Sequence, residues 1–388
     1  MKILMYQWKV YHQQDILEAL QECGHEVETI SDRPFNYNDD PDFVEMLAQK
    51  ITEGQYDCMF SVNYFGVVSD ACQKCRIRYL VWTCDSPLIT MHHESVFNDC
   101  NNIFIFDKVN YFYYKQMGLP HVWYLPLAVN TARLDGIMFK ESEEDKRKFA
   151  SDISFIGSMY RKNSYDDLKP HLPEYLKGYF DAAMLAQIEI FGDDLISKLM
   201  TDEILQELEQ FVSFEQGERS LSSLPLVFQS TFLGFKMAQI ERIRNLNLLG
   251  EKFMVDVYSD GEDERLSNVR YRGSVNYHTD MPKVFHESKI NLNFTIRNIK
   301  SGIPLRGWDI LGCGGFLLTN FQAEIPMYFE NGKDLVYYED TNDLMRKAEY
   351  YLSHEEERSA IALNGYRKVK AQHSYQKRIQ QMLSCIQL

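Results

Sequence analysis

Residues 301–340 read SGIPLRGWDILGCGGFLLTNFQAEIPMYFENGKDLVYYED. Arg306 and Asp309 stand three residues apart, neighbours on a helix surface. A glycine-rich turn follows at Gly312, Gly314 and Gly315, then the apolar strand GGFLLTN, then a second strand, DLVYYED. Helix, tight turn, buried strand, strand is the rhythm of a parallel sheet covered by helices. A carboxylate, a cation and bare backbone at a helix start are also what a ribose diphosphate needs.

The same rhythm runs outward to both ends. Toward the N-terminus, KILMY, HEVETI, YDCMFSVN, IRYLVWTCD, NNIFIFD and VWYLPLAV read as strands separated by helical patterns. Gly24 ends the first helix, and Asp40 or Asp42 caps the next, so the Asp40-Pro41-Asp42 triplet is a cap and not a metal motif. Residues 131–150, with FKESEEDKRKF, are the linker. Beyond it DISFIG, MVDVYS, VRYRGSV and KINLNFT begin a second series, interrupted by a helical insertion at about 163–250, and helices at 341–353, 355–371 and 374–386 close the chain. The expected domains are 1–135, 151–370 with the insertion, and a C-terminal helix at 371–388 that returns to the first domain.

At 388 residues two cores are expected. The net charge of -15 argues against a duplex nucleic-acid partner, while leaving room for a local basic pocket. No apolar run reaches the roughly 20 residues of a membrane span. The start MKILMYQWKV reads as a strand and not a signal peptide, so a cytoplasmic location is expected. Eight cysteines follow no framework spacing, and the single CxxC at Cys72 and Cys75 reads as packed thiols more readily than as a zinc or redox pair.

Ligands of open α/β sheets sit beyond the carboxyl ends of strands. Asp85, Asp107, Gly157, Arg161 and Asp260 all follow strands. Trp82-Thr83-Cys84-Asp85-Ser86-Pro87 sets a carboxylate after an apolar strand, with helix capping by Asp85 or Ser86 as the alternative. His92 and His93 follow, and without a third ligand at metal spacing they are no zinc site.

On these residues the chain resembles the glycosyltransferases of the spore maturation protein CgeB type, distant relatives of the retaining GT-B enzymes of family 4. The stretches that carry the resemblance are YDCMFSVNYF, RYLVWTCDSP, NNIFIFD, YLPLAVN, NYHTDMPKVFHESKINLNFT and LRGWDILGCGGFLLTN. It implies an α/β, GT-B fold of two facing Rossmann-like domains, the second holding a nucleotide sugar, expected to be a UDP-sugar, and the first approached by the acceptor. It implies sugar transfer with retention, and no metal or other cofactor.

Residue by residue, the resemblance gives Asp309 the place of an acid that holds ribose hydroxyls, with a helix cap as the alternative. Ser301 stands where the family has its first acid. Gly302, Ile303 and Pro304 complete the loop that lets phosphates approach. Gly157 and Ser158, with Arg161 and Lys162, follow the first strand of the second domain, where the family neutralises the leaving diphosphate. Arg306 either grips that diphosphate or pairs with Asp309 on the surface. Tyr277 is expected to pass the nucleobase. Asp85, Arg161 and Arg306 are the catalytic candidates. Asp85 is favoured for positioning the acceptor, with Trp82, Ser86 and His92 beside it. The competing readings are a nucleotide-sugar epimerase of the same fold and a non-catalytic sugar-binding or structural protein. The insertion is the expected dimer face or acceptor wall.

Overall fold

The apolar runs become two six-stranded, wholly parallel sheets in a computed structural model, which describes residues 1–386. The last two residues of the expected C-terminal helix, 387 and 388, lie outside the described residues. The chain divides into two units. The first comprises residues 1–127, 214–227 and 375–388, and the second 128–213 and 228–374.

In the first unit the strands are β1 (Lys2–Tyr6), β2 (Glu26–Ile30), β3 (Cys58–Val62), β4 (Arg78–Trp82), β5 (Asn101–Ile105) and β6 (Val122–Tyr124). Their order across the sheet is β2-β1-β3-β4-β5-β6. Every residue of β3 and β5 is buried, the pattern of strands covered on both faces. Helices Gln13–Glu22, Pro41–Gly54 and Gly66–Cys75 cover the sheet, the second started by Asp40, whose Oδ1 accepts from the Phe43 N–H at 3.0 Å. Gly24 leaves the first helix at φ +84°, a conformation that favours glycine. The core gathers Leu4, Leu47, Ile51, Met59, Val67 and Val81. Cys72 is among its buried residues and Cys75 packs against it, which agrees with packed thiols.

In the second unit the strands are β7 (Ser151–Ile156), β8 (Val255–Tyr258), β9 (Arg270–Tyr271), β10 (Ser288–Asn293), β11 (Leu317–Asn320) and β12 (Val336–Tyr338). The order β12-β11-β10-β7-β8-β9 places β7 beside β10, so the chain reverses its direction of winding between them. That reversal is where doubly wound sheets bind ligands, at the carboxyl ends of the two strands. The VRYRGSV strand shrinks to Arg270–Tyr271.

Two segments differ from the sequence expectation. Residues 131–150 are not a linker. They form helices Thr131–Met138 and Glu143–Phe149, the second begun by a reciprocal cap between Ser142 and Asp145. Both belong to the second unit, where Leu134 and Phe149 are buried. The expected insertion is also not one helical block. Residues 214–227 leave it for the first unit, because Arg219 pairs there with Asp70 at 2.7 Å, Glu94 at 2.5 Å and Asp39 at 3.4 Å. Backbone bonds from Leu221 to His92 and from Glu94 to Arg219 fix the same segment. The helix Tyr375–Cys385 also lies in the first unit, where Arg378 Nε donates to the Pro126 carbonyl at 3.0 Å.

Candidate functional site

The second unit offers the richer strand ends. After β10 the chain runs through residues 294–304 into the helix Leu305–Gly312. Pro304 precedes that helix, and no side chain caps its first turn. Pro304 has no N–H to lose at such a place. Trp308 is fully buried and its indole N–H donates to the Ile303 carbonyl at 3.2 Å, which ties the helix back to its own approach loop. Its ring packs at 5.0 Å from His373 and 5.5 Å from Phe329.

Asp309 follows Trp308 and is 2% exposed. Its Oδ1 accepts from the Tyr277 hydroxyl at 3.1 Å, and Arg306 lies 3.7 Å from Oδ2. The Arg133 guanidinium stands 5.6 Å over the Tyr277 ring. A carboxylate is therefore set among a phenol and two guanidiniums, all from the second unit. Asp309 is no helix cap, since it sits in the helix body. It faces Tyr277 and Arg306 in this structure, so a ligand hydroxyl reaches it only if one of them gives way. Arg306 keeps 26% of its side chain exposed, also contacts Met281 sulfur, and lies 5.6 Å over Phe285. It is a half-buried pair and not the surface salt bridge that was the alternative.

Ser301 is also buried. Its hydroxyl donates to Glu324 Oε1 at 2.6 Å, and the Glu324 N–H donates back to the Ser301 carbonyl at 3.1 Å. Glu324 is 2% exposed and comes from the loop after β11. The position where an acid was expected holds a serine, and a carboxylate from another strand end reaches it. Gly302 and Ile303 are buried, and Pro304 is partly open.

Gly157 and Ser158 follow β7. The Gly157 N–H donates to the Tyr258 carbonyl at 3.1 Å, and a side chain there would meet the Phe155 ring at 2.8 Å. Ser158 Oγ accepts from the Tyr160 N–H at 3.1 Å. Arg161 and Lys162 are exposed, and Arg161 donates to the Glu262 carbonyl at 3.2 Å. Gly261 lets that guanidinium lie flat, because a Cβ would sit 2.0 Å from Arg161 Nη2. Gly312 and Gly315 serve packing: a Cβ would meet Val129 at 2.4 Å in the first case and the Phe285 carbonyl at 2.6 Å in the second.

The sequence reading missed what holds these loops. The helix Gly234–Gly250 carries Glu241 and Arg242, both buried. Arg242 donates to the Ser158 carbonyl at 2.5 Å and to the Phe294 carbonyl at 2.9 Å, one from each side of the β7/β10 reversal. Its guanidinium also lies 4.9 Å over Tyr160. Glu241 pairs with Arg297 at 2.9 Å, with side chains 3% and 7% exposed. Burial pushes the Glu241 carboxyl up, and Arg297, Arg242 and Arg244 pull it back. Charged residues at buried helix positions are the signal that was available in the sequence, since Glu and Arg are rarely buried unless paired.

In the first unit, three candidates are corrected. Trp82 is 1% exposed and lies in the core, edge-on to Tyr375, with its N–H on the Leu125 carbonyl at 3.2 Å. Ser86 is buried, bonded to Asn110 and 3.5 Å from Asp107, which itself caps the helix Lys108–Gln116. His92 is 5% exposed, 3.1 Å from the Tyr114 hydroxyl, and burial pushes it down to about 4, so it is neutral. Packing of the strand ends into their own unit is the physical reason in each case. Asp85 alone of the four remains exposed. Asn63, at φ +63°, donates to Asp85 Oδ2 at 2.6 Å and accepts from the Cys84 N–H at 2.8 Å. Desolvation nevertheless raises the Asp85 carboxyl, with the Asn63 bond opposing it.

Residues 235–384 match a family model described as "Glycosyl transferase-like". No curated protein matches the chain in sequence. Among solved structures, HepE of Anabaena in complex with UDP-glucose is similar at 11% identity and a TM-score of 0.57, over 100% of this chain and 99% of that one. A glycosyltransferase of Rickettsia africae is similar at 11% identity and a TM-score of 0.53, over 99% and 98%. Sucrose-phosphate synthase of Thermosynechococcus elongatus is similar at 10% identity and a TM-score of 0.52, over 100% and 98%. The two parallel six-stranded sheets with flanking helices thus match the α/β fold of GT-B glycosyltransferases.

Proposed function

We propose that the protein is a glycosyltransferase that takes its sugar from a nucleotide sugar, in the first instance a UDP-sugar. The observation that carries this is the uncapped start of the Leu305 helix, with Arg306 and Asp309 on its first turns, beside the carboxyl end of β10. The matched family segment spans that loop and helix, which supports the reading. The UDP and UDP-glucose named for HepE supply the choice of nucleotide.

In this reading the Leu305 and Arg306 N–H groups and the dipole of the helix start receive the diphosphate, while the Gly307 N–H is held by the Pro304 carbonyl at 2.9 Å. Asp309 exchanges its bond from Tyr277 for ribose hydroxyls. Tyr277, freed, lies along the base. Glu324 and Ser301 line the sugar side through their mutual bond. Arg161, with Lys162 behind it, meets the charge that grows on the leaving diphosphate. A cation preorganised at developing charge lowers the barrier, and losing one such donor costs about 3–4 kcal/mol. The reaction is taken as retaining and metal-independent, with the leaving phosphate accepting the acceptor proton. Asp85, exposed and held by Asn63, positions an acceptor hydroxyl.

The test is donor turnover. The protein is incubated with a panel of nucleotide sugars without acceptor, and products are resolved. Slow release of free sugar and UDP from a UDP-sugar is expected. Conversion to an isomeric sugar would assign an epimerase instead, and neither turnover nor binding of any donor would end the proposal.

A further inference from the structure

We propose that Glu141, His286 and Glu287 form a site for a first-row divalent cation, with zinc(II) as the best fit. The ligand-bearing atoms of the three side chains all lie within 4.8 Å of one another. They belong to the second unit and come from distant parts of the sequence. Glu141 lies in the turn between helices Thr131–Met138 and Glu143–Phe149, and the other two end the helix Met281–Glu287. The site is independent of the proposed function.

The cluster sets two carboxylates side by side, with His286 and Lys283 offsetting them only in part. The nearby lysines are paired elsewhere: Lys283 with Asp145 at 2.9 Å, Lys146 with Glu143 at 2.7 Å and Lys289 with Asp152 at 2.7 Å. Among the described residues Glu141 Oε1 is buried and takes no hydrogen bond. Two helix C-termini meet here as well, the Met281 helix directly and the Leu305 helix through its end residue Cys313. Helix C-termini carry partial negative charge and favour cations. Two carboxylates held close against two such ends are stabilised by a cation between them.

His286 supplies the selectivity. Its Nδ1 is 3.0 Å from the Cys313 carbonyl, which only accepts, so Nδ1 carries the proton and Nε2 is left as a lone pair. A carbonyl that fixes the tautomer of a ligating histidine is the usual support of a zinc site. One imidazole with two carboxylates suits zinc better than magnesium or calcium, which favour all-oxygen sets. Bonds of about 2.0–2.2 Å put zinc ligands roughly 3.3 Å apart, so atoms within 4.8 Å of one another close by at most about 1.5 Å on binding. Three protein ligands leave a coordination position open. His286 and Glu287 also line a cavity of about 470 Å³ with Asp135, Arg358 and Tyr366, which gives that position room for water or an anion.

The full chain, stripped with chelator, is titrated with zinc chloride, manganese chloride and magnesium chloride by calorimetry, and bound metal is counted by elemental analysis. One equivalent of zinc is expected, with magnesium at least 100-fold weaker. Glu287→Gln and His286→Ala should each weaken zinc at least 30-fold, while His354→Ala, outside the cluster, should not. Zinc binding undiminished in both cluster variants, or none in the wild type at 100 µM, would overturn the proposal. Cobalt(II) spectra of the wild type guard against variants that fail to fold. Absorption of a nitrogen and oxygen ligand set supports the site, and a thiolate charge-transfer band would place the ion on cysteines and refute it.

Discussion

The strand ends of the two sheets are secured in different ways. In the first unit the polar residues after strands are tied to near neighbours and packed inward: Asp107 caps the helix that follows it, Ser86 joins Asn110, and His92 lies under Tyr114. Its long-range charge cluster, Arg219 with Asp39, Asp70 and Glu94, keeps a guanidinium side chain that is 25% exposed. In the second unit the loops after β7 and β10 are held from beneath by Arg242 and by the Glu241–Arg297 pair, almost fully buried. Local caps fix a chain end cheaply. Buried ions hold these loops through their backbone carbonyls and leave Arg161 and Lys162 exposed.

The sharpest way to break this contrast is to remove one charge from each cluster. Arg297→Met removes the salt-bridge partner of buried Glu241 and leaves it only the fields of Arg242 and Arg244, and unfolding in urea should show a loss of about 3–5 kcal/mol. Arg219→Met in the first unit should cost about 1 kcal/mol, since solvent screens a partly exposed ion pair. Equal losses would remove the distinction. The two basic loop residues come next. Arg161→Ala should lower kcat about 100-fold with little change in melting temperature, and Lys162→Ala about 3-fold, measured by donor turnover.

Acid should separate the units too. His92 and His12, both in the first unit, are pushed down to about 4 by burial, from an ordinary 6.5. The unfolded chain therefore binds protons that the folded chain refuses, and stability falls as pH drops from about 6.5 toward about 4. His92→Gln keeps a hydrogen-bond acceptor for Tyr114 and should flatten that fall, by on the order of 2 kcal/mol at about pH 4.5. Asp85 gives the smallest effect and the opposite sign. Its carboxyl is raised by desolvation, so its cost appears as pH climbs above the ordinary carboxylate range. Asp85→Asn should leave the melting temperature at neutral pH unchanged or slightly higher.

The sequence carried much of this. Apolar runs such as CMFSV and YLVW announced parallel strands, and Asp40 with Pro41 announced a cap. Arg306 and Asp309 were found from spacing, and the structure brings them together with Tyr277. What stayed hidden depends on contacts between distant segments. Glu324 reaches Ser301 across 23 residues, and Arg242 reaches Ser158 across 84. Trp82 and His92 misled because an aromatic or histidine after a strand reads alike whether it faces a ligand or its own core. The Glu141 cluster joins residues 145 positions apart, beyond any local motif.

The start of the Leu305 helix, with Asp309, is the proposed seat of a nucleoside diphosphate. UDP titrated by calorimetry into the wild type and into Asp309→Ala tests it directly. Saturable one-to-one binding to the wild type is expected, weakened about 10- to 100-fold in the variant, the worth of a charge-assisted hydrogen bond pair. Absence of UDP binding to the wild type, or equal affinity in both proteins, would contradict it.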